Sequence, residues 1–156
     1  MMSDATDVPG PGRVESPTEA AAQANAPDKP IPESMGGAAN QFGIEITEMS
    51  GDRVVATMPV TEKHHQPFGV LHGGVSVVLA ESVASIGAYL AAPEDHVAMG
   101  IEINANHIRA VRDGTLTATA TPVHRGRSTH VWQVEIKSEN DKLICVSRCT
   151  LAIVKR

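Results

Sequence analysis

The sequence predicts an α+β domain in which one long buried helix lies against an antiparallel sheet. Three observations predict it. Between residues 74 and 92 the only charged side chain is Glu81, set among small and apolar residues, and a helix that is apolar all round is a buried one. Four runs rich in β-branched residues follow at 99–108, 115–123, 129–138 and 143–154, with no helical periodicity between them. The order strands, helix, strands puts the helix on one face of a sheet. Neither the strand–helix alternation nor the Gly-rich phosphate turn of a dinucleotide-binding fold is present.

Taken in order, residues 1–33 are rich in Pro, Ala, Gly and acid and hold hardly any large apolar side chain. Such a segment cannot bury enough surface to offset its ordering entropy, so a disordered tail is expected there, followed by one domain over 34–156. Ile44 and Ile46 alternate with Glu45 and Thr47, and Ser50-Gly51-Asp52 reads as a turn into 53–58, so the domain opens with a hairpin. A loop over 61–71 leads through Pro67 and Gly69 into a helix over 74–91 that Pro93 closes. Gly114 and the Glu139-Asn140-Asp141 cluster punctuate the later strands.

The 156 residues carry a net charge of -5. The tail holds six acids against Arg13 and Lys29, leaving the body near neutral. No basic stripe with stacking aromatics marks a nucleic-acid surface, since only four aromatic residues are present. The apolar stretches are broken by Gly, Ser or Glu81 before the roughly 20 residues of a membrane span, and no leader pattern opens the chain. A cytosolic protein without membrane or nucleic-acid partners is expected. Cys145 and Cys149 stand four apart in a strand, about 13 Å if extended, too far for a disulfide.

A lone carboxylate in a buried helix has to be paired, protonated or functional. On a helical wheel Gly74, Val77, Val78, Ser85 and Ala88 fall within roughly 60° of Glu81. There the carboxylate can attack an electron-poor carbonyl or activate a water that Ser85 holds. His72, Gly73 and Gly74 precede the helix, whose first N–H groups lack intrahelical partners and sit at the positive end of the dipole. Either glycine N–H suits a developing oxyanion, and the Gln66 amide and His72 imidazole stand close by in sequence. Arg109, Arg112, Arg125 and Arg127, with Ser128 and Thr129, offer forked donors and hydroxyls for phosphate. A metal site from His64, His65 and His72 lacks zinc-site spacing, and no Gly-x-Ser-x-Gly elbow supports a serine triad.

The run from Gln66 through His72-Gly73-Gly74 to Glu81-Ser82, the segment from Gly100 to His107, and the strand at 131–136 together resemble the hotdog-fold acyl-CoA thioesterases. The likeness is to their PaaI-like branch, which includes enzymes for 1,4-dihydroxy-2-naphthoyl-CoA and 4-hydroxybenzoyl-CoA. It spans about residues 34–154. The resemblance implies a helix wrapped by an antiparallel sheet, a homodimer with active sites at its interface, and a dimer of dimers. It implies an acyl-CoA substrate and no cofactor. Carried over by position, Glu81 is nucleophile or general base, Gly73 and Gln66 bind the thioester carbonyl, His72 positions groups and Ser85 holds water. Gly100, His107, Ile108, Arg109 and Ala110 match the family's substrate and CoA contacts, as do His124, Arg125, Gly126, Arg127, Ser128 and Thr129. An aryl acyl group follows from the branch, with Phe68 and Tyr89 as pocket candidates. The rivals are an acyl-CoA-binding module, an aliphatic acyl-CoA thioesterase and a hotdog hydratase.

Overall fold

The expected hairpin forms between β1 (Glu45–Met49) and β2 (Val54–Pro59), with Glu45 opposite Thr57 and Met49 opposite Val54. Ser50 closes it: its N–H donates to the Arg53 carbonyl at 2.8 Å, and its hydroxyl oxygen accepts from the Arg53 N–H at 3.0 Å. That self-capping is why serine suits turns. This computed structural model describes Lys29 and residues 37–156. The predicted tail therefore lies outside the described residues, Lys29 excepted. A short helix not foreseen in the sequence, α1 (Gly37–Gln41), precedes the hairpin.

The remaining elements are a 3-10 turn at Glu62–His64, α2 (Gly73–Ala91), β3 (His96–His107), β4 (Thr115–Arg125), β5 (Thr129–Ser138) and β6 (Leu143–Lys155). The strands make one antiparallel sheet in the order β1-β2-β4-β5-β6-β3. Period-2 alternation sets its inner face: Leu116, Ala118 and Ala120 of β4 and Trp132, Val134 and Ile136 of β5 are fully buried. They meet Leu79, Ala80, Val83, Ala84 and Ala88 of α2 in one core. Gly87 lets the helix settle on the sheet, because a Cβ there would penetrate the Trp132 ring. A helix glycine costs about 1 kcal/mol relative to alanine, which complete burial of an indole offsets.

By length and composition α2 would satisfy the requirement for a membrane span, with 19 residues and a mean hydropathy of 1.6. The prediction that no stretch is long enough was therefore mistaken, because Gly, Ser and one Glu do not lower hydropathy sufficiently. In the fold the sheet covers this helix, burying nine of its residues. Strand β3 lies at the sheet edge. It bulges between Gly100 and Glu102 and exposes Met99 and Ile101, the latter at 63%.

Candidate active site

The first turn of α2 is organised by His72. As N-cap its Nδ1 accepts the Gly74 N–H at 2.9 Å, which fixes the neutral ring's proton on Nε2 and leaves that atom as a donor. The Gly74 amide is thereby used, while no acceptor among the described residues takes the Gly73 N–H. Of the two predicted oxyanion donors, the structure leaves Gly73 available. Gly73 has to be glycine for a local reason: a Cβ would lie 2.6 Å from His107 Nε2.

Gln66 sits in a tight turn in which its carbonyl accepts the Gly69 N–H at 3.0 Å and its N–H donates to the Val70 carbonyl at 2.8 Å. Gly69 occupies the left-handed region, φ 73°, where side chains are disfavoured. Gln66 Oε1 accepts the Phe68 N–H at 2.5 Å, so the NH₂ end of the amide is the end left to donate. A cavity of about 290 Å³ opens between this loop, the helix start and the end of β3. Gln66, Gly73, His107, Ile108, Arg109 and Ala110, all singled out in the sequence, line it, joined by Val70, Leu71, Ser76 and Ile144, which the sequence did not single out. Ser76 stands one turn from Gly73 and shares its face, a spacing that could have found it. The three aliphatic residues look like ordinary core in sequence.

Glu81 lies elsewhere. Eight residues along the helix place it about 12 Å beyond Gly73. Its Oε1 reaches into the notch left by Gly100, 2.5 Å from where a Cβ would stand. Beneath it, Cys149 is pushed up to about 12, first by burial and then by the charges of Glu81 and Glu102. Ser85 follows Glu81 one turn on. The third predicted group, from His124 to Thr129, connects β4 to β5 at the opposite end of the helix. There Arg125 Nη1 pairs with Asp52 Oδ1 at 2.8 Å and donates to the Gly51 carbonyl at 3.0 Å; Ser128 accepts the Ile153 N–H through its carbonyl. Within one chain the predicted site residues thus form three clusters along α2. Tyr89, a predicted pocket residue, lies outside the cleft, under the Lys29 ammonium, whereas Phe68 stands 84% exposed beside Gln66.

The histidines weighed as metal ligands are engaged otherwise. His64 is buried, its Nδ1 accepting the Thr61 N–H and its Nε2 donating to the Phe42 carbonyl. His65 Nε2 donates to the Arg112 carbonyl at 2.7 Å.

Residues 68–145 match the model of the thioesterase superfamily. The chain belongs to that superfamily. It is 52% identical over 115 residues to a 1,4-dihydroxy-2-naphthoyl-CoA hydrolase of Listeria monocytogenes, covering 74% of this chain and 94% of the relative. To the enzyme of the same name in Escherichia coli it is 46% identical, over 71% of this chain and 82% of that one. Among solved structures, thioesterase HI1161 of Haemophilus influenzae superposes with a TM-score of 0.74 at 49% identity, covering 77% of this chain and 84% of that one. PaaI of E. coli superposes at 0.68 with 27% identity, over 74% and 83%. The fold is the hotdog fold that the motifs implied, and the chain is a thioester hydrolase.

Proposed function

We propose that this thioesterase hydrolyses an aryl acyl-CoA, of the hydroxybenzoyl or dihydroxynaphthoyl class, to the free acid and CoA. The observation that carries the reading is the Glu81 carboxylate held in the Gly100 notch of an otherwise uncharged helix. The Gly73 N–H and the Gln66 NH₂ take the thioester oxygen and stabilise the oxyanion, an effect worth about 10² to 10³ in rate per donor. The Glu81 carboxylate acts on the carbonyl carbon, directly or through a water it deprotonates with Ser85 in support. The C–S bond breaks and the thiolate leaves to take a proton. On the activated-water route the water oxygen ends on the acyl carbon. On the anhydride route water attacks the glutamyl carbon, so that a Glu81 oxygen leaves with the acid and the water oxygen stays on Glu81. Labelled water in a single turnover separates the two routes: ¹⁸O enters the Glu81 carboxylate only if an anhydride forms. The aryl preference is supported by the names of the L. monocytogenes and E. coli relatives. No metal takes part in this reading.

Glu81 and Gly73 are too far apart along one helix to hold one carbonyl between them, which supports a site shared by two chains. The exposed twelve-residue edge of β3, with Met99 and Ile101 outward, is a surface a second copy would cover. Antiparallel pairing of β3 with its copy, centred between Ile103 and Asn104, sets Gly100 of one chain against His107 of the other. That brings Glu81 to the partner's helix start, and the 124–129 turn toward the partner's cleft, where it joins Arg109 around CoA. Two such dimers then make the tetramer, in the cytosol. The test is CoA release from a panel of aryl and aliphatic acyl-CoAs by wild type and folded Glu81→Gln. Fast aryl-CoA hydrolysis lost in the variant supports the reading; binding without turnover by both replaces it with an acyl-CoA-binding module.

A further inference from the structure

The loop that carries Gln66 buries little of itself: Pro67 and Phe68 are exposed and Gly69 has no side chain. A turn whose apolar anchor, Leu71, stands only at its edge populates many arrangements unless polar contacts fix it. Apart from the turn's own backbone bonds and the His72 N–H to the His64 carbonyl at 2.8 Å, its fixings converge on residues 111 and 112. The Leu71 N–H donates to the Val111 carbonyl at 2.7 Å, His65 Nε2 donates to the Arg112 carbonyl at 2.7 Å, and Arg112 Nη1 donates to the Gly69 carbonyl at 3.1 Å. The two side-chain contacts bracket the Gln66 turn, one from each end. Resting on the reading of Gln66 as a carbonyl donor, we propose that Arg112 and His65 form a latch that holds this turn in its donating geometry. Arg112 is then a positioning residue of the oxyanion site, and its guanidinium is committed to the loop carbonyl instead of a CoA phosphate.

A phosphate contact and a latch leave different kinetic traces. Phosphate contacts bind the nucleotide end equally in ground and transition states and are felt in KM, whereas a misplaced oxyanion donor is felt in kcat. The test measures Arg112→Ala and Arg112→Lys on 4-hydroxybenzoyl-CoA and on the matching N-acetylcysteamine thioester, which has no nucleotide phosphates. The latch predicts that Arg112→Ala lowers kcat by about three- to tenfold on both substrates with little change in KM, and that Lys, which can still donate to Gly69, recovers most of it. In a Gln66→Ala background Arg112→Ala should have no further effect on kcat, because the group it positions is gone. A rise in KM confined to the CoA substrate overturns the proposal, as does an additive loss in the double variant. Amide hydrogen exchange reads the latch without turnover: Phe68, Gly69 and Leu71 should exchange faster in Arg112→Ala, and unchanged exchange overturns it. Should wild type hydrolyse neither thioester, the functional reading fails while the exchange data still decide the latch.

Discussion

Replacing Gly100 with alanine should move the Glu81 carboxylate while leaving the sheet intact. The new Cβ would stand 2.5 Å from Glu81 Oε1, where ordinary contact begins at 3.4 Å, so the oxygen has to retreat by about 0.9 Å. It is the free end of a flexible side chain, so it yields before backbone does. Gly100 is outside the positive-φ set, so alanine fits the strand. Restricting the unfolded chain then leaves stability unchanged or raises it by about 0.4–1 kcal/mol. Catalysis is less forgiving, since misplacing a reacting group by about 1 Å can cost on the order of 10²-fold. Steady-state CoA release by Gly100→Ala should therefore show kcat lowered by about two orders of magnitude, with an undiminished thermal midpoint. A folded variant whose kcat stays within a small factor of wild type would refute the assignment of Gly100 as the carboxylate's notch.

Stability should fall as pH drops below 6.5, because burial lowers the pKa of both His64 and His130, with nearby Lys63 and Arg125 adding to it. The unfolded chain binds those protons first, so unfolding gains through that window; urea midpoints at pH 8, 6 and 5 check the sign, and a flat profile contradicts it. Cys145 and Cys149 should both resist an aromatic disulfide reagent in the folded protein and react on unfolding, since burial pushes both thiols up, Cys149 to about 12. Lys29→Met removes donations to the Tyr89 and His96 carbonyls at 2.7 and 3.3 Å and the ammonium 4.5 Å from the Tyr89 ring. It should cost about 1–3 kcal/mol, seen as a thermal midpoint a few degrees lower; an unchanged midpoint would show the contact contributes nothing.

Much of this was legible because the strongest signals are local. The apolar helix with one acid, the turn residues and the alternating strands act over a few residues each, and the helix begins at Gly73, one residue before the predicted start. Strand ends depend on distant partners: β3 starts at His96 instead of 99 because His96 pairs with Lys155, which no local pattern shows. The site divides the same way. The cleft from Gln66 to Ala110 is gathered mostly by one loop, the helix start and one strand end, so six of its ten lining residues stand in short runs that the sequence singles out. Arg125, in contrast, is neutralised by Asp52 from the hairpin turn, a pairing of residues far apart in sequence. Ser76 passed as a small helix filler, and Arg112 as a phosphate candidate, because their partners are set only by the fold.

The central claim is that one chain's Glu81 works with another chain's Gln66 and Gly73. Mixing Glu81→Gln protein with Gln66→Ala protein, after reversible dissociation and reassociation, tests it most directly. In a mixed two-fold dimer one site inherits both defects and the other inherits neither. Random pairing should therefore restore about one quarter of wild-type CoA release from two nearly inactive parents. Activity that stays at the level of the parents, with exchange of subunits verified, would place each site within a single chain and contradict the account.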